Sequence, residues 1–453
     1  MRRVSLRAAV VLATIGLLLF AARQPAHAIP AFARQTGQPC VSCHIGAFGP
    51  QLTPFGIAFK MTGYTLSAGE TPWPYIPLSA YVLQSFNNTA SPVQKYASPN
   101  FGNNNNYNLD QVSFFLAGRL SDYAGGLVQI TYGGSGSTAL DDSDLRLTHP
   151  FDVKDQTVQV GLDFNDGPTV QDPYNTLYHY AYPYANSAVA PGPTALPLAI
   201  QALSHNALGL TNYYWINQTW YFEAGGYKSL QTTWQQALGN TTSLGYIQGA
   251  APYVRMAWQK QWGPNFLELG GLFFYANTVG QDGFGLPGSN NFYDYGIDAN
   301  YQYTNGDHLF ALATNFIQQQ ADLSGTAAGG LAANKANTLN QFRLMGDYYY
   351  QNTYGATLAF NDTFGTHDAL LYSPSPVLGS ANGSPNSKAI TFELDWVPFG
   401  KSADSGWALE KNLKLGVQYV DYLEFNGGTR NYDGFGHNAS GNNTLYVYLW
   451  TAW

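Results

Sequence analysis

The sequence predicts an all-β fold, a 16-stranded outer-membrane β-barrel, and three observations predict it. From Pro77 onward, apolar and polar residues alternate with a period of two in segments long enough to cross a bilayer as tilted strands. Only 11% of residues are Asp, Glu, Lys or Arg, against ~25% in an ordinary soluble domain, while aromatics reach 15% and 48 residues are glycine. The connections between segments mostly alternate long and short, as outer-membrane barrels require. A soluble β-sandwich or propeller is the alternative, but no internal repeat supports a propeller.

At the N-terminus, Arg2, Arg3 and Arg7 precede an apolar run from Ala8 to Ala22, and Ala26-His27-Ala28 is a small-x-small cleavage site. Residues 1–28 are therefore expected to be a secretory signal peptide, with the mature chain starting near Ile29. An uncleaved anchor is the alternative, although the run is short of the ~20 residues of a spanning helix. No later stretch is long and apolar enough to cross as a helix, so any crossing must use strands.

Residues 75–453 hold the expected barrel, with strands starting near residues 77, 110, 124, 141, 156, 207, 218, 249, 265, 292, 307, 339, 353, 388, 411 and 443. Phe114 and Leu116 share a face opposite Ser113, Ala117 and Arg119, and Phe392, Leu394 and Trp396 alternate with Glu393 and Asp395. The first strand leads into a long loop, which places the N-terminus on the periplasmic side. In the last strand Leu445, Val447, Leu449, Thr451 and Trp453 share one face, but Tyr446, Tyr448 and Trp450 make the other equally bulky. That strand alone does not decide which face meets lipid.

The intervening residues 29–74 carry the chemistry. Cys40 and Cys43 are the only cysteines, and His44 follows directly. Cys-x-x-Cys-His is the attachment site of a c-type haem, in which both sulfurs become thioethers and the imidazole binds iron. A disulfide, ordinary in an exported chain, is the alternative. So short a segment rarely buries enough apolar surface to stand alone, and a barrel of this size leaves a lumen wide enough for a plug. The segment is expected to plug the periplasmic half of the lumen, the alternative being a cytochrome moving freely in the periplasm. A net charge of −8 argues against a nucleic-acid partner.

The string Phe32-Ala33-Arg34-Gln35-Thr36-Gly37, then Cys40, Cys43 and His44, then Leu52, Phe55-Gly56, Phe59-Lys60 and Gly63-Tyr64 resembles the opening of the fused monohaem cytochrome–porin family, the outer-membrane iron oxidases of iron-oxidising bacteria. The motif match covers residues 32–64, and the remainder is similar only in architecture. Gly49 departs from the pattern by separating Phe48 from Pro50, where the family usually runs an aromatic directly into proline, which leaves the loop after His44 open. The resemblance implies one covalent haem c in the outer membrane of a Gram-negative bacterium, with lipid around the barrel. It also implies extracellular Fe(II) as electron donor and a periplasmic carrier, a small copper protein or soluble cytochrome c, as acceptor. The alternatives are another donor (a sulfur compound, a mineral or an electrode) and a diffusion porin whose haem is structural.

With His44 as proximal ligand, the distal ligand is open. Methionine would raise the reduction potential, so Met61 is the expected ligand, with Met345 as competitor and Met256 on the lipid face. The other histidines past the motif, His149, His179, His205, His308, His367 and His437, fall in loops or at strand ends. Asp141, Asp142 and Asp144 are expected at an external lip, where carboxylate oxygens would attract Fe(II); a solvated loop end is the alternative. Lumen charges such as Arg119, Arg255, Glu268, Glu393 and Lys414 are expected to satisfy one another or the plug.

Overall fold

The computed structural model describes residues 30–68, 77–92, 101–133, 138–177, 187, 189–200, 203, 206–239, 246–279, 288–401 and 412–453. The signal peptide reading, residues 1–28, lies outside the described residues.

Alternation of inward polar and outward apolar residues builds one closed antiparallel sheet. Its strands are β1 (Leu78–Thr89), β2 (Asn106–Arg119), β3 (Ala124–Gly133), β4 (Thr138–Val153), β5 (Gln156–Asn165), β6 (Ala207–Ile216), β7 (Trp220–Ser229), β8 (Tyr246–Ile247) and β9 (Ala251–Trp262). They continue with β10 (Asn265–Val279), β11 (Ser289–Asn305), β12 (His308–Asp322), β13 (Ala336–Tyr350), β14 (Tyr354–Gly365), β15 (Ser387–Trp396), β16 (Leu413–Glu424) and β17 (Thr444–Ala452). Sixteen of these form the wall; β8 is a two-residue addition paired to Thr278 and Val279 of β10, and β7 pairs directly with β9. The wall closes where β1 pairs with β17, from Tyr81 opposite Ala452 to Thr89 opposite Thr444. Closure leaves no open edge, so every wall strand has partners on both sides.

All sixteen expected segments are strands. The largest displacement is at β2, which begins at Asn106 rather than near residue 110, because the Asn-rich lead-in still pairs, Asn87 with Asn106. Outward positions such as Phe114, Leu116, Ile297 and Leu358 are exposed, while their inward neighbours Ser113, Asp298 and Thr357 are buried. This outward apolar band is what an outer-membrane-type barrel presents to lipid. In β17 the structure turns Tyr446, Tyr448 and Trp450 inward and Val447 outward.

At one end the turns are tight, as at Gly263-Pro264 and Gly306-Asp307, while the other end carries long connections. The described parts of the connection after β5, residues 166–177 and 189–200, fold into the lumen. Asp172 forms an ion pair with Arg255 of β9 at 3.1 Å, and Asn315 Nδ2 of β12 donates to the Thr176 carbonyl at 2.7 Å. Arg255 also meets Asp298 at 2.7 Å and Glu268 at 3.7 Å.

The N-terminal segment meets the tight-turn end. It comprises α1 (Pro30–Thr36), α2 (Cys40–Cys43) and α3 (Pro54–Met61). Arg34 donates to the Leu78 carbonyl where β1 starts, and Gln35 Oε1 accepts from the Arg119 amide at 2.7 Å where β2 ends. The Val41 amide donates to the Gly400 carbonyl in the connection between β15 and β16 at 3.4 Å.

Candidate functional site

The short helix α2 holds Cys40 and Cys43 one turn apart, and the His44 amide donates back to the Cys40 carbonyl at 3.0 Å. The chain then loops and returns. The Ile45 amide donates to the Gln51 carbonyl and the Thr53 amide to the Cys43 carbonyl, each at 3.0 Å, so His44 and Leu52 face each other as an isolated bridge. Gly49 lies at φ +93°, backbone that favours glycine, which lets the chain reverse before Pro50. Thr53 caps α3 by accepting from the Gly56 amide at 3.2 Å, and Pro54 opens the helix where its missing N–H costs nothing. Gly56 is needed for close approach, since a Cβ there would stand 2.2 Å from the Cys43 carbonyl oxygen.

The resulting walls enclose a cavity of about 330 Å³ that Cys40, Cys43 and His44 all line. Both cysteines are free thiols. Phe32, Phe48, Phe59, Tyr81, Phe115 and Trp450 supply flat apolar walls. Phe32 stacks on Tyr64 with centroids 5.0 Å apart, and Trp450 meets Phe48 at 5.4 Å and Tyr81 at 5.3 Å. The roof comes from the inward connection, through Val170, Asn175, Leu177 and Ile200. Cys40 Sγ donates to Asn412 Oδ1 at 3.9 Å.

Burial dominates the electrostatics. It pushes the Cys43 thiol up to about 12, with Cys40 adding to the effect. It also pulls His44 down to about 4, against opposing contributions from the Gly49 and Gln51 backbones. His44 is half-buried as a residue, while its Nδ1 is buried with no hydrogen-bond partner of normal geometry. A neutral imidazole, two free thiols on one turn and a cavity walled by aromatic rings fit a thioether-linked haem with a histidine ligand.

The other residues of the motif build the frame. Gln35 Nε2 donates to the Tyr64 and Leu66 carbonyls, each at 2.7 Å, and Thr36 Oγ1 to the Phe32 carbonyl at 2.9 Å. Gly37 follows α1 at φ +66°. Tyr64 donates its hydroxyl to Asp144 Oδ2 at 2.7 Å; burial and then Asp144 hold its pKa well above the usual range. Lys60 Nζ donates to the carbonyls of Val170 and Asp172 and, at 2.8 Å, to Asn175 Oδ1. Burial lowers its pKa, with Asp144 opposing. Phe55 is exposed and lines no part of the cavity.

Several expected residues are placed elsewhere. Met61 does not line the cavity; it is fully buried in a cluster with Leu52, Tyr174, Tyr213 and Tyr221, because α3 turns that face toward the barrel wall. Met345 packs against Ala313 and Ala359 and accepts from Arg343 Nη2 at 3.5 Å. Nor do the three aspartates sit at an external lip. The strand begins at Thr138, and a bulge opposite Gln129 and Ile130 aims both Asp141 and Asp142 into the cavity. Asp144 is fully buried, paired with Arg146 at 2.8 Å. Among the described residues, no group of three His, Cys, Asp or Glu side chains is placed to hold a metal ion. His179 and His205 lie outside the described residues. The expected mutual satisfaction of lumen charges is seen at Arg255 and Glu268, and at Lys414, which lies 3.5 Å from both Glu393 and Asp395; Arg119 instead pairs with Asp122.

Sequence reasoning missed Tyr81, Phe115, Trp450 and Asn412 as cavity walls, and the whole roof. The bulky inward face of the last strand was the one available signal.

No protein-family model and no curated protein matches the sequence. Solved structures similar in fold include OmpF of Salmonella typhi, with TM-score 0.46 and 12% identity over 83% of this chain and 97% of that one. The outer-membrane channel DcaP of Acinetobacter baumannii gives 0.46 and 10% over 83% and 96%. A loop-deletion mutant of OmpT of Vibrio cholerae gives 0.42 and 10% over 83% and 98%. The barrel assignment stands on the strand register itself.

Proposed function

We propose that this chain is an outer-membrane electron conduit that oxidises extracellular Fe(II) to Fe(III), one electron at a time, through a single covalently bound haem c. A periplasmic carrier, a small copper protein or a soluble cytochrome c, receives the electron. The observation that carries this reading is the cavity lined together by Cys40, Cys43 and His44. When bound, the haem supplies a one-electron couple whose potential the surrounding protein tunes.

The chain's own residues do the rest. Cys40 and Cys43 would tether the porphyrin, and His44, held neutral by burial, would hold the iron. Residues 30–68 act as a plug: Arg34, Gln35 and Val41 fasten them to the tight-turn end, and Lys60 ties them to the inward connection above. Aromatic walls exclude water. Asp141 and Asp142 place carboxylate oxygens at the cavity wall, where Asp141 Oδ2 accepts from Gln111, Gln129 and Thr131, and Asp144 is engaged by Arg146, Tyr64 and Lys60. With the plug below and residues 166–177 and 189–200 above, electrons rather than solutes would pass.

Stopped-flow mixing of the oxidised full chain with Fe(II) tests the donor, with reduction of the haem spectrum expected. A haem that stays ferric while a sulfur compound or an electrode reduces it would replace Fe(II) with that donor. Planar-bilayer conductance tests the diffusion-porin reading, which predicts large open-channel currents where the conduit predicts very small ones.

A further inference from the structure

We infer that the outer face of the Cys40–Cys43 turn, between Phe55 and Phe399, is where a small soluble one-electron carrier docks, by apolar contact rather than by charge. This rests on the electron-conduit reading above and gives its acceptor a surface.

The turn has two sides. Cys40, Cys43 and His44 line the cavity, whereas Val41 and Ser42, between the cysteines, do not line it and are half-buried. With 3.6 residues per turn, positions 40, 43 and 44 share one side of a helix and 41 and 42 fall on the other. One turn of backbone therefore stands between the cavity and the outer face here.

Two exposed phenylalanines flank that outer side, and hydrogen bonds tie both flanks to the turn. The Val41 amide donates to the Gly400 carbonyl at 3.4 Å, directly after Phe399 in the connection between β15 and β16. The approach is close, since a Cβ on Gly400 would stand 3.5 Å from Val41 Cγ1. On the other flank, Thr53 donates its hydroxyl to the Ser42 carbonyl, and Pro54 and Phe55 follow it into α3. Phe55 is 39% exposed and Phe399 38%, and neither lines the cavity. The cavity therefore does not account for Phe55. A single exposed phenylalanine is ordinary, but two on either side of a half-buried valine form an apolar strip of the kind that marks a contact surface.

Place and charge point to the partner. The strip lies at the tight-turn end, which is periplasmic in barrels of this kind. It backs directly onto the turn that carries both attachment cysteines, so a carrier seated there is brought as near to the cavity as the backbone permits. The strip holds no carboxylate among its described residues, and its one charge is the exposed Lys401. It offers nothing for a ring of basic residues to meet, and attraction must come from apolar area. Two aromatic anchors on a small face suit the limited, short-lived interfaces of electron-transfer partners. The carrier that fits presents an apolar, weakly charged face of its own.

The test uses the exported full chain with its haem in detergent. Two carriers purified from the same periplasm, the small copper protein and the soluble cytochrome c, are each added alone. A photoreactive phenylalanine analogue at position 55 or 399 should cross-link one of them, with similar yield at low and high salt. The same analogue in place of Phe435, which is exposed at the opposite end, should not. Phe55→Asp and Phe399→Asp should each slow electron transfer from the dithionite-reduced chain to that carrier about tenfold, while Fe(II) reduces both variants as fast as the wild type. The inference is overturned by cross-linking absent at both positions or equal at Phe435, by unchanged rates in both variants, or by rates that fall steeply with salt. Dithionite supplies the electron, so a chain that Fe(II) fails to reduce but that docks in this way loses its donor and keeps this surface.

Discussion

Lys60 Nζ stands 3.7 Å from Asp144 Oδ2, an ion pair that joins the N-terminal segment to the barrel wall with both side chains buried. The same ammonium donates to three groups in residues 166–206, so one cation links segment, wall and roof. Replacing one partner of a buried pair costs about 3–5 kcal/mol, because the remaining groups lose their compensation. Lys60→Met is expected to loosen residues 30–68. Limited proteolysis in detergent should cut this segment at lower denaturant than in the wild type, and equal protection would refute the link.

Gly56 carries a second prediction. Its Cα faces the Cys43 carbonyl so closely that a methyl group would stand 2.2 Å from that oxygen. Overpacking of this kind costs about 1–3 kcal/mol, and here the displaced group belongs to the Cys40–Cys43 turn itself. Gly56→Ala should lower the ratio of haem to protein in the exported product while leaving the barrel folded by heat-modifiability on gels.

Arg255 compensates Asp172, Glu268 and Asp298 at once, and Asp172 belongs to the inward connection. Arg255→Leu leaves those three acids without their shared cation. The connection should leave the lumen, and single-channel conductance should rise severalfold over the wild type. An unchanged conductance would show that the connection is held without Arg255.

Asp166, just beyond β5, is pushed up to about 9 by burial and by the nearby Asp142. Its ordinary value in an unfolded chain is about 3.9. Between these values the folded chain keeps the proton and the unfolded chain releases it, so stability is fully present below the unfolded pKa and is lost as pH rises toward about 9. Asp166→Asn removes this titration. The variant should match the wild type near pH 4 and exceed it increasingly toward pH 8 in denaturant titrations of the detergent-solubilised barrel.

What the sequence determined by itself was whatever rests on local spacing. Period-two alternation located every wall strand, because a strand's two faces are set by neighbours two residues apart. The turn that sets Cys40 and Cys43 beside His44 was equally legible, since it is local geometry. The tertiary structure alone decided which faces turn inward where both are bulky, as at Tyr446, Tyr448 and Trp450. It also decided that a bulge turns Asp141 and Asp142 into the cavity, that Met61 points away from it, and that Val170, Asn175, Leu177 and Ile200 form its roof. Each of these depends on contacts between residues a hundred or more positions apart or on strand register. Closure of the barrel creates those contacts, and no local pattern encodes them.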